Sequence, residues 1–210
     1  MAFWRILMRV KPTWVPRDVQ LRRDPMTIPV TPAQAQVQAD MIADRTAIQR
    51  AISRMAAAIA HDYRDQLPVY LTIMHGALPF AGQLAIALGS HGQDVTFDYV
   101  HATRYRGQTL GDDLEWRHYP QTQLAGRRIL LIDDILDEGH TLQGVRDWCL
   151  SQQALDVRIA VLAVKRHDRC VAGLTADYAG VDVPDRYVFG FGMDCNERLR
   201  TLPAIYALRD

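Results

Sequence analysis

The chain has 210 residues, a length typical of one or two domains, with 49% hydrophobic and 23% charged residues. A chain of this size buries enough surface to form a core without disulfides or a structural metal, and its composition excludes a largely disordered protein. The 24 Lys and Arg residues balance the 24 Asp and Glu residues, which argues against a nucleic-acid partner bound through a basic surface. No apolar stretch approaches the roughly 20 residues that span a bilayer, so we expect no membrane partner.

Cysteine usage and the first 25 residues both bear on the cellular compartment. Cys149, Cys170 and Cys195 are odd in number and lack the close spacing of a metal site, which is typical of a reducing compartment and predicts a cytoplasmic protein. Residues 1–25 are rich in arginine but contain no serine, unlike a transit peptide. We expect them to form a loosely structured extension before a single domain over residues 26–210, with Met26 as a candidate start.

From residue 31 onward, predicted helices and strands alternate. Thr31-Pro32 begins a helix that apolar residues at spacings of three, four or seven extend to Ile59. The further elements are a strand over 69–74, a helix over 79–88, a strand over 95–101, a polar loop or loose hairpin over 104–120, a strand over 128–132, a helix over 141–152, a strand over 157–164 and short strands near 187–191. This alternation predicts an α/β fold, with a central parallel β-sheet flanked by helices.

The most informative segment joins an apolar strand to a helix through an acidic turn. Asp133 and Asp134 follow the strand over 128–132, and residues 137–141, Asp-Glu-Gly-His-Thr, lead into the helix. Ligands of open parallel sheets bind beyond the carboxyl ends of the strands, and the amides of a helix N-terminus favour a phosphate. Because neighbouring carboxylates would repel an anion, we expect the ligand also to bring Mg²⁺ or hydroxyl groups.

Other interpretations of this segment are less favoured. A solvated acidic turn does not explain the strongly apolar strand before it. A phospho-receiver domain carries its acidic pair on the first strand, whereas more than a hundred residues precede Asp133 here. A phosphate-binding loop of the Gly-x-x-x-x-Gly-Lys-Ser/Thr type is absent from the sequence.

The segment Ile-Leu-Leu-Ile-Asp-Asp-Ile-Leu-Asp-Glu-Gly-His-Thr-Leu closely resembles the phosphoribosyl-diphosphate (PRPP) motif of type I phosphoribosyltransferases. Residues 68–202 resemble the hypoxanthine-guanine branch of that family. The resemblance implies a parallel sheet under a small hood, contributed largely by residues 166–210. It also implies a Mg²⁺-dependent purine salvage reaction in which a 6-oxopurine and PRPP give IMP or GMP and pyrophosphate. Family members are commonly homodimers or homotetramers.

The same resemblance implies roles for the residues that would bind PRPP. The acidic pair would bind the ribose hydroxyls, and through them or through water would lie near a metal that Asp194 also approaches. Asp137 would act in proton transfer near purine N7 and is the candidate catalytic residue. The other residues implied for PRPP are Glu138, Gly139, His140 and Thr141 at the 5′-phosphate, and His75, Gly76 and Arg200 at pyrophosphate.

Residues on the base side are also implied by the resemblance. Lys165 would donate to the purine O6, Tyr187 would stack on the base, and the backbone of Val188 would contact its edge. Arg104 and Tyr105 fall where the family carries the root of a mobile lid. Glu138, His75 and Arg104 depart from the commoner family residues at their positions.

Two alternatives to a hypoxanthine-guanine transferase stay open. One is a xanthine-specific transferase of the same fold, and the other is a PRPP-sensing regulator that binds nucleic acid. The neutral charge and the lack of a helix-turn-helix pattern disfavour the regulator. Because an ammonium donor at Lys165 would oppose the 6-amino group of adenine, we expect adenine to be a poor substrate.

Overall fold

A computed structural model describes residues 31, 33, 37–104 and 114–209, with Arg104 described by its backbone alone. The strands are β1 (Ala39–Ala43), β2 (Val69–Ile73), β3 (Thr96–Arg104), β4 (Leu114–His118), β5 (Arg128–Leu136), β6 (Asp156–Lys165), β7 (Tyr178–Val183), β8 (Val188–Phe189) and β9 (Ile205–Leu208). The helices are α1 (Arg45–Asp62), α2 (Leu78–Ser90) and α3 (His140–Ser151). The predicted extension over residues 1–25 lies outside the described residues.

The central sheet has six strands in the order β4-β3-β2-β5-β6-β7. All neighbouring pairs in it are parallel except β3 and β4, which pair antiparallel. The predicted α/β fold is thereby confirmed. The predicted loose hairpin corresponds to β3 and β4, and residues 105–113 between them lie outside the described residues.

The core lies on both faces of this sheet, as the residues of β5 show. Ile129 and Leu131 pack on one face with α3, while Leu130 and Ile132 pack on the other with α1 and α2. Successive side chains of a strand point to opposite faces, so an uninterrupted apolar run is what a strand covered on both sides requires. All four side chains are fully buried.

The single helix predicted over residues 31–59 is interrupted by a strand: residues 33, 37 and 38 are helical as predicted, but the prediction is wrong over residues 39–43. Residues 39–43 form β1, and Asp44 then caps α1 by accepting a hydrogen bond from the backbone N of Ala47 at 2.7 Å. Met41 is 56% exposed instead of buried. The cause is the antiparallel pairing of β1 with β9, at the far end of the chain, because local periodicity carries no information on such a partner. The later part of the predicted stripe is buried: Ile48, Ile52, Met55 and Ile59.

The strand predicted over residues 128–132 is longer than expected. The ladder between β2 and β5 ends at the pair Thr72 and Ile132, but β6 remains paired with β5 as far as Leu136. Asp133 and Asp134 therefore lie within β5 and not beyond its end. β2 does not pair with this part of β5, so one side of β5 is open at Asp133 and Asp134.

A second sheet lies beside the first and is built from distant parts of the chain. It is antiparallel, with the order β1-β9-β8. Val188 of β8 and Ile205 of β9 belong to the same apolar cluster as α1 and α2, so the small sheet packs on the main core. In the described part of the chain, no helix is long and apolar enough to cross a membrane.

Candidate active site

In the acidic pair on β5, Asp134 is buried and Asp133 is half-buried. Asp133 Oδ1 accepts a hydrogen bond from the backbone N of Asp134 at 2.9 Å, and Asp134 is 9% exposed. Burial raises the pKa of both carboxyl groups, and the charge of Asp134 raises that of Asp133 further, although Arg200 lowers both. Carboxylates that have lost water in this way gain from hydroxyl donors or from a cation, because either replaces the missing hydration.

Gly76 and Gly192 let three segments meet beside this pair. A Cβ atom on Gly76 would lie 2.0 Å from Asp134 Oδ2, and one on Gly192 would lie 2.0 Å from the carbonyl oxygen of Gly76. Gly192 also has φ of +106°, which disfavours any side chain there. The loop after β2 thus packs on β5, and the segment after β8 packs on that loop. Sequence reasoning missed Gly192, for which the only signal was the Gly-Phe-Gly spacing of residues 190–192.

The loop after β2 presents His75 beside Gly76. The peptide bond between Met74 and His75 is cis. The exposed His75 ring meets the ring of His101 edge-on, with centroids 4.5 Å apart. Burial lowers the pKa of His101, and so does the nearby charge of His75. The predicted pyrophosphate loop is therefore next to the acidic pair, with an imidazole at its surface.

Arg200 supplies positive charge to this end of the site. Its guanidinium lies 2.9 Å from Asp194 Oδ1 and donates to the carbonyl oxygen of Gly192 at 2.6 Å. Asp194 Oδ2 in turn accepts from the backbone N of Glu197 at 2.8 Å. These contacts place Arg200 and Asp194 beside Gly192, which packs on the loop that contains Gly76.

The turn from β5 into α3 lines a cavity of about 540 Å³. Gly139 is the N-cap residue of α3, so the positive end of the helix dipole and its free amides face the turn. Glu138, one of the residues that depart from the family pattern, has its carboxylate 3.7 Å from the ring of His140. The lining of the cavity consists of Asp133, Asp134, Ile135, Asp137, Glu138, Gly139, His140, Thr141, Leu142 and Asp194.

Asp137 joins this cavity to the end of β6. Lys165 Nζ donates to Asp137 Oδ2 at 2.5 Å, and His167 Nε2 lies 2.7 Å from Asp137 Oδ1. Burial alone would raise the pKa of Asp137, but the hydrogen bonds with Lys165 and His167 outweigh it and hold the pKa below its usual value. Sequence reasoning missed His167. Its nearness to Lys165 in the chain was the only signal, and no known spacing marked it.

The other residues predicted to contact the base do not line this cavity. Tyr187 is 49% exposed and Val188 is buried in β8, and neither is among the residues that line the cavity. Arg104 ends β3, but its side chain and the whole of Tyr105 lie outside the described residues. The predicted lid contacts are therefore untested by the described part of the chain.

The carboxylates of the cavity fit a hard divalent cation only in part. Asp133, Asp134 and Asp194 offer the oxygen ligands that Mg²⁺ prefers. Among the described residues, however, no group of three or more acidic, histidine or cysteine side chains converges closely enough to hold a metal by itself. This arrangement fits a cation that keeps waters and is held jointly by carboxylates and substrate phosphates.

Comparison with known proteins identifies the family of this chain. The phosphoribosyl transferase domain family matches residues 38–198. The chain belongs to the phosphoribosyltransferase family, and its six-stranded sheet with the small antiparallel sheet is the type I fold of that family.

Similar members of the family include hypoxanthine-guanine phosphoribosyltransferases. A hypoxanthine-guanine phosphoribosyltransferase of Streptococcus pneumoniae is 31% identical over 158 residues, which cover 75% of this chain and 86% of the relative. The corresponding protein of Streptococcus thermophilus is 31% identical over 72% of this chain and 83% of its own. A hypoxanthine phosphoribosyltransferase of Trypanosoma cruzi, solved in complex with the product IMP, superposes with a TM-score of 0.76 at 26% identity, covering 82% of this chain and 95% of that one.

Proposed function

We propose that this protein transfers the 5-phosphoribosyl group of PRPP to N9 of hypoxanthine or guanine, releasing IMP or GMP and pyrophosphate. The observation that carries the proposal is the junction at Asp137. This one carboxylate lines the cavity at the turn from β5 into α3, where the phosphate would bind. It also pairs with Lys165, a cation suited to a 6-oxo group. Cytoplasmic purine salvage is the setting that this activity implies.

The PRPP half of the site follows from charge and hydrogen-bonding capacity. The amides of residues 138–141, with the Thr141 hydroxyl, would hold the 5′-phosphate at the N-terminus of α3. The acidic pair, Asp133 and Asp134, would accept hydrogen bonds from the ribose hydroxyls. Arg200 and the loop at His75 would bind pyrophosphate, whose negative charge grows as it leaves the sugar.

Magnesium would belong to the same half of the site. Asp194 and the acidic pair would hold it together with the diphosphate, through water or through the ribose hydroxyls. When bound, the ion neutralises charge on the leaving pyrophosphate. The acidic pair also places negative charge beside the sugar carbon, where positive charge develops.

The base half of the site follows from donor and acceptor chemistry. Lys165 would donate to O6 of the purine, while Asp137 accepts the N7 proton as N9 bonds to the sugar. Tyr187, half exposed immediately before β8, offers a ring for stacking, and the backbone of Val188 would contact the edge of the base. An adenine 6-amino group would leave the Lys165 ammonium without an acceptor, at a cost of about 1–3 kcal/mol.

The test is turnover of the purified protein with Mg²⁺, PRPP and each of four bases: hypoxanthine, guanine, xanthine and adenine. We expect nucleotide and pyrophosphate to form with hypoxanthine or guanine, and adenine to be a poor substrate. Turnover of xanthine alone would identify a xanthine transferase. PRPP binding without turnover of any base would instead favour a regulator and would contradict the proposal.

A variant of Lys165 tests the origin of the specificity. Lys165→Gln should raise the KM for the base by about tenfold, which corresponds to roughly 1.4 kcal/mol, and leave the KM for PRPP within about twofold. The matched control is Arg166→Gln, since Arg166 is exposed and pairs with Asp182 at 2.5 Å. Equal weakening of PRPP and base would place Lys165 on the phosphate side of the site.

A further inference from the structure

His167 is a buried imidazole whose two ring nitrogens both have partners. Its side chain is 2% exposed. Nε2 lies 2.7 Å from Asp137 Oδ1, and Nδ1 accepts a hydrogen bond from the backbone N of Arg169 at 3.0 Å. The residue therefore lies between the loop that follows β6 and the carboxylate that faces the cavity.

The partners define which nitrogen carries the proton. The backbone N–H of Arg169 can only donate, so Nδ1 of His167 is an acceptor. The ring proton then lies on Nε2 and is donated to Asp137 Oδ1. His167 is thus oriented by the backbone and points one N–H at a single carboxylate oxygen.

The two donors to Asp137, Lys165 and His167, have different roles in the reaction proposed above. Lys165 contacts Oδ2 in this structure, but in the proposed reaction it turns to O6 while Oδ2 receives the N7 proton. The His167 side chain is 2% exposed and contacts Oδ1 alone, so it has almost no surface to offer a substrate. Once Lys165 has left, His167 is the side chain that keeps Asp137 in one orientation, with Oδ2 free for the N7 proton.

We propose that His167 is a positioning residue for the phosphoribosyl transfer: its Nε2–H holds Oδ1 of Asp137 so that Oδ2 faces the purine. This inference rests on the proposed function of the site. Orientation of a general base within hydrogen-bond reach of its proton is a condition for efficient proton transfer.

Two substitutions of His167 separate the contact made by Nε2 from the contact made by Nδ1. His167→Gln can place an amide N–H near the position of Nε2 and keep the donor to Asp137. His167→Asn can place its amide oxygen near the position of Nδ1 and keep the acceptor for Arg169, but it is too short to reach Asp137. Both variants keep a polar amide, but asparagine is smaller by one methylene group, so a thermal melt of each variant shows whether lost packing contributes to its effect. Asp168→Asn, at an exposed neighbour, serves as the control.

We expect His167→Asn to lower kcat by about tenfold to a hundredfold, the effect of losing a hydrogen bond to a charged group. The KM values for PRPP and base should stay within about twofold, and His167→Gln and Asp168→Asn should keep kcat within about threefold. A residue that only shapes the loop would show the reverse order, because His167→Asn preserves the contact to Arg169 and His167→Gln does not.

The pH profile gives a second readout. The titratable or charged groups around Asp137 are Lys165, His167, Glu138, Arg169, Cys170 and Asp185. Since the hydrogen bond from His167 favours the ionised form of Asp137, its loss should raise the pKa of Asp137. The acidic limb of kcat/KM should therefore move to higher pH in His167→Asn and stay at the parent position in His167→Gln.

Three results would overturn the inference while leaving the transferase activity intact. They are a parent-like kcat in His167→Asn, equal losses in the Asn and Gln variants, and a larger loss in the Gln variant. Absence of turnover by the parent protein with every base is a different outcome, which overturns the proposed function and this inference together.

Discussion

The two donors to Asp137 stabilise its ionised form in the absence of substrate. They also make it a weaker base, whereas the proposed reaction needs it to accept a proton. Lys165 and His167 hold its pKa below the usual value, so the carboxylate is ionised at neutral pH but is a weak base while both donors are present. Departure of Lys165 to the base would remove one of them at the moment when the proton is to be accepted. The lysine would then couple recognition of the 6-oxo group to activation of the carboxylate.

Replacing Asp137 by asparagine removes the charge and the basicity but keeps the shape. We expect Asp137→Asn to lower kcat by about 10²–10⁴-fold, the usual contribution of general acid–base catalysis. The affinity for PRPP should change little, since the amides at α3 and Thr141 are untouched. Steady-state kinetics and equilibrium PRPP binding check both statements, with Asp168→Asn as the control. A kcat within about threefold of the parent, or under roughly 0.7 kcal/mol, would contradict the catalytic role.

The acidic pair carries a cost to stability that a substitution should reveal. Burial and the charge of Asp134 raise the pKa of Asp133, so at neutral pH the unfolded state ionises this group more readily than the folded state does. The folded state is therefore penalised above the folded pKa, and the penalty disappears as the pH falls below the unfolded value. Asp133→Asn keeps the acceptor for the backbone N of Asp134 and removes the charge.

We accordingly expect Asp133→Asn to melt about 2–4 °C higher than the parent at pH 7.5 without ligand, which is the shift that about 1 kcal/mol produces in a domain of this size. The difference should shrink toward pH 4, and transferase activity should fall. Thermal melts at the two pH values measure the effect. A lower melting temperature at pH 7.5 would show that the ionised pair stabilises the fold.

At the scale of elements, the site depends on how closely the loop after β2 and the segment after β8 approach each other. Gly192 leaves no room for a side chain, because its Cβ would lie 2.0 Å from a backbone oxygen of Gly76. An alanine there must push one segment away from the other. Arg200, which donates to the carbonyl of Gly192, would move with it.

We expect Gly192→Ala to destabilise the protein by about 1–3 kcal/mol, the usual cost of a side chain at a strained backbone position, and to raise the KM for PRPP more than the KM for the base. Gly89→Ala is the matched control. Gly89 lies in α2, and a Cβ atom on it would meet nothing within 4 Å. Chemical denaturation and steady-state kinetics measure the two effects. Parent-like values for Gly192→Ala would show that the two segments can separate without consequence.

At the scale of the whole molecule, an apolar groove lies between α2 and β3. Leu78 is 55% exposed, Phe97 is 64% exposed and Tyr99 is 41% exposed, and all three line the groove. Exposed apolar surface of this kind is typical of protein interfaces. We propose that a second copy of the chain packs here, in the homodimer or homotetramer expected from the family resemblance.

Analytical ultracentrifugation tests this assembly. The parent should sediment as a dimer or tetramer, and Phe97→Asp should shift it toward the monomer because a carboxylate in a buried interface loses its hydration. Leu155→Asp is the control, since Leu155 is 61% exposed and is not among the residues lining the groove. A monomeric parent, or an unchanged assembly in Phe97→Asp, would contradict the proposal.

The extension over residues 1–25 gives a further prediction at this scale. The family match begins at residue 38, well after it. A chain that starts at Met26 should therefore keep the melting temperature and the transferase activity of the full chain. Calorimetry and the base assay compare the two. A loss of several degrees on truncation would show that the extension stabilises the core.

Local sequence determined much of the fold and of the proposed PRPP-binding half of the site. The apolar runs that became β2, β5 and β6 are dictated by burial on both faces of a sheet, and the acidic turn before α3 is readable because its residues are adjacent in the chain. Asp133, Asp134 and Thr141 could therefore be found without coordinates. Their roles in binding PRPP are implied by the family resemblance and stay predictions.

Only the tertiary structure decided the contacts between segments that are distant in sequence. The pairing of β1 with β9, the approach of Gly192 to Gly76 and the hydrogen bond from His167 to Asp137 each join segments more than 25 residues apart. Hydrophobic periodicity and turn chemistry describe a residue's own neighbourhood, so they predicted a helix where β1 forms and left His167 unmarked. Such contacts depend on how the whole sheet places its strands, because the partners meet only after the core has packed.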